Sequence, residues 1–282
     1  MLFDGMHGLG DNIYQRAFVR EIKSRVYLCT SWPQLYKDLS NVYTVKPITR
    51  LRTQRKNIIS RKETEWKAAP HVSKRKIRYG HNDLKYGGSI LSAMSRCFNI
   101  KAKIFDLPKF EGPLIGEKYA VVRPVTVRAE WRNEARNPRV EYINEAALRM
   151  HELGYTIVSI ADLQKNHEWC EELPYCDIAY NHGELDVEQM LSVVQKASIV
   201  IGGVGWIIPA CAASGVNLIT VLGGQGAHNA PEKITGVPMN IDKIRFIFPD
   251  NYCKCKDKLH KCNKEITNFK KKFDKALVSL CN

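Results

Sequence analysis

The stretch Ala197–Gly226, ASIVIGGVGWIIPACAASGVNLITVLGGQG, constrains the fold more than any other part of the chain. It holds two apolar runs, Ser198–Ile201 and Leu218–Leu222, each leading into glycines, with a helix-compatible piece, Trp206–Ser214, between them. The pattern reads as strand, glycine turn, helix, strand. Gly202, Gly203 and Gly205 permit backbone angles that other residues resist and let a ligand come close to the main chain. A helix starting at Trp206 would present unpaired N–H groups and the positive end of its dipole, which favours a phosphate or pyrophosphate. Two other readings compete. Ser198–Leu222 carries no charge and is long enough for a bilayer. However, glycines, a proline, a serine and an asparagine break it, and a buried parallel strand is also continuously apolar. A plain α/β crossover whose glycines serve only packing is the stronger rival, because a glycine-rich loop alone is weak evidence.

The 282 residues suffice for one large or two medium domains, and a hydrophobic content of 44% supports a true core. The net charge of +14 favours an anionic partner: nucleic acid, a phosphorylated glycan or an acidic membrane surface. Ordinary solubility charge accounts for the same excess. The nine cysteines are an odd count, and the start MLFDGMHGLG lacks the basic and apolar regions of a signal peptide. A reducing cytoplasm is the expected compartment, with peripheral attachment to an inner membrane compatible. No stretch reads as a transmembrane helix or a lipidation signal, and nothing calls for more than a monomer.

Met1–Asp4 reads as a strand, Gly5–Asn12 as a turn, Ile13–Ser24 as a helix and Val26–Cys29 as a second strand. In that helix Ile13, Ala17, Val19 and Ile22 share the apolar face, and Arg16, Arg20 and Lys23 point elsewhere. This is the opening of a doubly wound α/β domain, and Gly8, Gly10, Asp11 and Asn12 fall at the carboxyl end of its first strand, where such sheets hold ligands. Asp11 could act as a general base or simply cap the helix; spacing alone favours the cap. The segment from Lys46 to His81 is the most basic, with Arg50, Arg52, Arg55, Arg75 and Lys76 among its cations and Trp66 and Tyr79 interleaved. It suits a polyanion that offers stacking surfaces, and equally a solvated loop. Gly87–Phe98 reads as a helix, and the aperiodic Phe110–Lys118 as the boundary between domains at 1–112 and 118–250.

The second domain opens with the strand Tyr119–Arg123, followed by Thr126, Arg128 and Arg132, where arginines can grip phosphate through paired donors. Val140–Leu153 is an amphipathic helix, Thr156–Ile160 and Asp177–Tyr180 are strands, and Asp186 caps a further helix. After Gly226, Glu232 either binds ribose hydroxyls or is an ordinary helix-start acid. The tail, 251–282, contains Cys253, Cys255, His260 and Cys262 before a helix over Lys264–Leu280. These four could supply a zinc site, but C-x-C with H-x-C is an uncommon pattern, and unpaired thiols in a basic loop are the preferred reading.

Several of these groups resemble one family. Gly8-Leu9-Gly10-Asp11 resembles the G-x-G-D start of the bacterial heptosyltransferases, inverting glycosyltransferases of GT-B architecture. Tyr119–Arg132 is similar to that family's strand and phosphate loop. Asp186–Gly215 resembles its helix, its A-x-x-V-I-G strand, its glycine loop and its A-A-x-G. The cysteine-containing tail before a final helix is also similar, while Lys46–Lys109 matches nothing in the pattern. The loop Gly202-Gly203-Val204-Gly205-Trp206 lacks the Asp, Ser or Thr and His usual after V-I-G, so its donor grip differs. The resemblance implies two Rossmann-like α/β domains facing a cleft, with the C-terminal helix packing back across. It makes Asp11 the leading base for direct displacement at an anomeric carbon. Arg123, Thr126, Arg128, Gly202, Gly203, Gly205, Trp206 and Glu232 then bind a nucleotide sugar. Gly8, Gly10, Asn12, Arg50, Arg52, Arg55, Arg75 and Lys76 face a polyanionic acceptor. The nucleotide sugar is a co-substrate, and no cofactor or metal is required if cations carry the leaving-group charge. Two acceptors fit: hydroxymethylated bases of viral DNA, which the basic region favours slightly, and lipopolysaccharide core or another envelope glycan. A non-catalytic nucleic-acid-binding protein of the same fold is the reading from another class.

Overall fold

The computed structural model describes residues 1–85 and 88–281. The chain forms two compact units, one made of 1–109 with 232–240 and the other of 110–231 with 241–282. The change of unit after Lys109 falls at the start of the aperiodic stretch expected to part the domains. The excursion Glu232–Asn240 has no warning in the sequence.

The first unit contains β1 (Leu2–Asp4), α1 (Leu9–Val19), β2 (Val26–Cys29), β3 (Val42–Val45), α2 (Arg52–Ser60), β4 (Lys74–Lys76), α3 (His81–Leu84) and α4 (Ile90–Phe98). Its sheet is parallel in the order β3-β2-β1-β4. Gly8, in extended conformation, caps α1, which therefore starts four residues before the expected Ile13 and ends at Val19 instead of Ser24. Arg16, expected to point away from the core, is fully buried. Its guanidinium donates to the Leu35 carbonyl at 2.6 Å, to both Asp38 carboxylate oxygens at 2.6 and 2.7 Å, and to Asp106 Oδ1 at 3.2 Å. A buried guanidinium needs such pairing because leaving it uncompensated is costly. Ser89 caps α4 by accepting from Ser92 N at 3.1 Å. Gly87, where that helix was expected to begin, lies outside the described residues. The excursion is fixed inside this unit: buried Tyr14 donates to the Ile234 carbonyl at 2.6 Å, and Lys233 to the Leu84 carbonyl at 2.6 Å.

The second unit contains β5 (Tyr119–Val122), β6 (Thr126–Arg128), α5 (Val140–Glu152), β7 (Thr156–Ile160), β8 (Glu168–Cys170), β9 (Ile178–Tyr180), α6 (Val187–Lys196), β10 (Ile199–Gly202), α7 (Ile207–Ser214), β11 (Leu218–Val221) and α8 (Gly226–Asn229). The chain leaves it within α9 (Pro231–Ile234) and returns for β12 (Ile244–Ile247) and α10 (Phe269–Cys281). Six parallel strands run in the order β12-β11-β10-β5-β7-β9, and β6 pairs with β8 as a separate antiparallel ribbon. Asp186 caps α6 as expected, accepting from Gln189 N at 2.9 Å. The core joins the sheet to α5 and to Ile266, Phe269 and Phe273. The terminal helix packs on β12 and α5 within the second unit. It begins at Phe269 and not at Lys264. No helix among the described residues is long and apolar enough to cross a membrane.

Candidate functional site

Each unit presents polar groups where its strand order reverses, the place at which open α/β sheets hold ligands. In the first unit this is the carboxyl end of neighbouring β1 and β4. The turn after β1 is bound from several sides. Gln15 accepts from Met6 N at 2.9 Å, and Asn12 Nδ2 donates to the Met6 and Gly8 carbonyls at 2.7 and 2.9 Å. The His7 carbonyl accepts from Trp32 Nε1 and Gln54 Nε2, both at 2.8 Å. Asn12 is fully buried and its Oδ1 accepts from Thr30 Oγ1 at 2.7 Å. Its amide is engaged in holding the turn.

Asp11 is half-buried in the first turn of α1, three residues past the cap, so it is not the cap that spacing favoured. Its carboxylate lies over Gly8, where an added Cβ would come to 2.6 Å of Oδ2. A side chain at position 8 would displace the acid. Tyr79, which follows β4, donates its hydroxyl to Asp11 Oδ1 at 2.6 Å. Beside it Arg78 reaches back to β1, donating to the Gly5 carbonyl at 2.7 Å and pairing with Asp4 at 3.2 Å. Arg78 Nη2 also lies 3.3 Å from His7 Nε2. Burial, and then the Arg78 charge, push the His7 pKa below its ordinary value. His7 is thus a neutral neighbour of Asp11 around pH 7.

Of the basic region's named cations, Arg50, Arg55, Arg75 and Lys76 are exposed and Arg52 is half-buried. The region is more ordered than its sequence suggests. Arg52 and Arg55 ride on α2, while Arg75 and Lys76 sit on the exposed edge strand β4. Charge on an edge strand discourages pairing with another chain. The interleaved aromatics are not free stacking surfaces: Trp66 is buried and Tyr79 is bound to Asp11.

In the second unit the strand order reverses between β5 and β10, which pair side by side with Val122 opposite Ile201. Arg123 follows β5, its own N–H donating to the Ile201 carbonyl at 2.9 Å. Its guanidinium lies 3.4 Å from Thr126 Oγ1 and 4.0 Å from Glu168. Arg128 binds the same buried carboxylate at 2.7 Å. Burial lowers the Arg123 pKa to about 10, against the opposing pull of Glu168, and leaves it cationic at neutral pH.

The loop after β10 lies against Arg123. None of Gly202, Gly203 and Gly205 has a positive φ, so space and not backbone angle explains them. A Cβ on Gly202 would come to 2.8 Å of Ile207 Cδ1, and one on Gly203 to 2.9 Å of Pro138 Cδ. On Gly205 the nearest atom would be Arg123 Nη1 at 3.7 Å. The first two glycines serve packing and the third borders open space beside a cation. Trp206 is the half-buried N-cap residue of α7.

No family model and no curated protein matches the sequence. Solved structures do match the fold. An iron-containing, dodecameric heptosyltransferase, TibC, in complex with ADP-D-β-D-heptose superposes with a TM-score of 0.63 at 13% identity, covering 99% of this chain and 76% of that one. The E. coli ADP-heptose LPS heptosyltransferase II gives 0.60 at 12%, covering 99% and 98%. A family 9 glycosyltransferase from Veillonella parvula gives 0.59 at 12%, covering 99% and 96%. The fold is that of the heptosyltransferases. On this heptosyltransferase-like framework, Gly8, Gly10 and Asp11 come together after β1, and Arg123, Thr126, Arg128, Gly205 and Trp206 gather at the β5–β10 switch point. Glu232 is exposed and counts with the first unit. Sequence reasoning missed Tyr79 as a partner of Asp11 and Glu168 as the counter-ion of the arginines. Their only signals were a tyrosine just past a basic strand and a glutamate in an unassigned stretch.

Proposed function

We propose that this chain is an inverting glycosyltransferase that moves a sugar from a nucleotide sugar to a hydroxyl on a phosphorylated or carboxylated glycan of the lipopolysaccharide-core type. ADP-heptose is the first donor to test. The observation carrying this reading is Asp11, held by Tyr79 in the first helical turn after β1 of a heptosyltransferase-like fold.

In the proposed step the acceptor oxygen attacks the anomeric carbon and the bond from that carbon to the diphosphate oxygen breaks. The acceptor proton passes to Asp11, and the nucleoside diphosphate leaves with the bonding electrons. Negative charge grows on the leaving group, and Arg123, Arg128 and the N–H groups at the start of α7 are the donors suited to it. Arginine suits this role because its planar fork pairs with two phosphate oxygens at once. The exposed cations of α2 and β4 supply attraction for an anionic acceptor. The hydroxymethylated-DNA acceptor that composition favours has no comparable support from fold relatives.

A thermal-shift panel of nucleotide sugars tests the donor, since a ligand that binds only the native state raises the melting temperature. ADP-heptose should raise it for both wild type and Asp11→Ala, with transfer to a lipopolysaccharide-core acceptor seen only for wild type. Transfer by Asp11→Ala would remove the base assignment. Failure of every nucleotide sugar to bind, be hydrolysed or be transferred would favour a non-catalytic binding protein. Glycosylation of hydroxymethylated DNA but not of the glycan would overturn the acceptor.

A further inference from the structure

The tail between β12 and α10 is an irregular segment with no helix or strand over 251–268. A long irregular segment inside a compact unit calls for something to fix it. Its backbone is tied to the turn after β11: Gly226 N donates to the Cys253 carbonyl at 2.9 Å, and Gln225 Nε2 to the Lys256 carbonyl at 3.1 Å. Ala135 N donates to the Lys258 carbonyl at 2.9 Å, and Lys264 to the Glu134 carbonyl at 2.7 Å. A Cβ on Gly224 would overlap Cys262 Sγ, so the tail is seated on a bare glycine backbone.

Within this segment four side chains converge. The ligand atoms of Cys253, Cys255, His260 and Cys262 all lie within 4.8 Å of one another. Cys255 Sγ is 3.5 Å from Cys262 Sγ, and His260 Nδ1 is 3.3 Å from Cys262 Sγ and 3.6 Å from Cys253 Sγ. Metal–sulfur and metal–nitrogen bonds of about 2.3 and 2.05 Å give a tetrahedron with edges of about 3.8 Å between sulfurs and about 3.6 Å between sulfur and nitrogen. The three separations of 3.3–3.6 Å lie within about 0.3 Å of those edges, and the remaining pairs stay within 4.8 Å. The sulfur pair is too far apart for a disulfide. Three thiolates and a neutral imidazole around a divalent ion leave one negative charge, and the exposed Lys254, Lys256, Lys258 and Lys261 are interleaved with these ligands along the chain. Soft, tetrahedral donors select zinc or iron over hard, oxygen-seeking ions.

We propose that Cys253, Cys255, His260 through Nδ1, and Cys262 bind one thiophilic divalent ion, zinc or ferrous, that clamps the tail onto the Gly223–Gly226 turn. All four positions are filled by protein, so the ion is structural and not catalytic. The pairing C-x-C with H-x-C looked unpromising in sequence because the contribution of chain folding to the spacing was invisible there. The site stands whether or not the chain transfers sugar.

The full-length protein, purified without chelator from medium supplemented with zinc and iron, is assayed by elemental analysis. Roughly one ion per chain is expected, and whichever of zinc or iron is found identifies the occupant. Loading of the chelated protein with Co²⁺ should give sulfur-to-cobalt charge transfer and the intense visible bands of a tetrahedral site. Cys262→Ser and His260→Ala should lose most of the bound ion. Cys97→Ser, in the first unit and outside the cluster, should keep it. Where a variant fails to fold, His260→Cys decides: it preserves a fourth ligand and should retain the ion with altered cobalt bands. A metal-free chain without tetrahedral Co²⁺ bands would overturn the site. So would a Cys255–Cys262 disulfide in unreduced protein, or variants that bind as much metal as wild type.

Discussion

The Tyr79 hydroxyl donates to Asp11 Oδ1 at 2.6 Å, joining the segment just past β4 to the first turn of α1 across the point where the strand order reverses. A carboxylate with one oxygen fixed has its other oxygen aimed, which is what proton transfer from a bound hydroxyl requires. Tyr79→Phe should lower kcat about 10-fold with little change in donor KM, and Asp11→Ala should lower it about 10²–10⁴-fold. Steady-state kinetics of both variants check this. Equal losses in kcat and donor affinity for Tyr79→Phe would mean that the tyrosine serves the fold alone.

The glycines after β10 separate into two kinds, and substitution should reveal it. Gly203→Ala forces a Cβ to 2.9 Å of Pro138 and should lower the melting temperature, costing about 1–3 kcal/mol. Gly205→Ala meets nothing closer than 3.7 Å and should leave the melting temperature nearly unchanged. It should raise the donor KM about 10-fold, because the methyl occupies the space beside Arg123. Paired thermal melts and donor titrations test the contrast.

The Arg16–Asp38 pair should make stability pH-dependent. Burial opposes ionisation of Asp38, but the hydrogen bond and charge of Arg16 outweigh it and hold its carboxyl below the ordinary range. A lowered folded-state pKa contributes stability above the unfolded value of about 3.9, and that stability is lost as pH falls through the folded value. Asp38 is 41% exposed and Arg16 keeps its second partner Asp106, so Asp38→Asn should cost only about 1–2 kcal/mol at pH 7. Denaturant melts should show the difference from wild type shrinking below roughly pH 4 and staying constant from pH 6 to 8.

The terminal helix should be indispensable to the second unit. Phe273 is fully buried and stacks with Phe269 at 6.0 Å between centroids. Phe273→Ala should cost about 3–5 kcal/mol, read from the chemical-denaturation midpoint.

Much of this architecture was legible because periodicity and glycine punctuation report local structure. Ser198–Ile201 and Leu218–Leu222 became β10 and β11 within a residue, and the Asp186 cap formed as read. Misreadings arose where a long-range contact overrides a local preference. Arg16 looked like a surface residue because its partners, Asp38 and Asp106, lie far along the chain. Asp11 looked like a cap because the helix start at Gly8 depends on side chains closing around the turn. The region 46–81 looked aperiodic because α2 is a basic helix with few apolar positions and β4 is KRK, a strand held by its neighbour β1 and not by propensity. Glu168 and Tyr79 acquire meaning only through the pairing of β6 with β8 and of β1 with β4.

Because Glu232–Asn240 belongs to the first unit, the polypeptide changes unit at three places and neither unit is one uninterrupted piece of chain. A fragment ending at Lys109 would lack the Ile234 carbonyl that takes the Tyr14 hydroxyl and the lysine that reaches Leu84. Neither half can therefore be excised, swapped with a homologue or inherited as a cassette by a single cut. Any graft has to carry the nine-residue detour along with the half it completes.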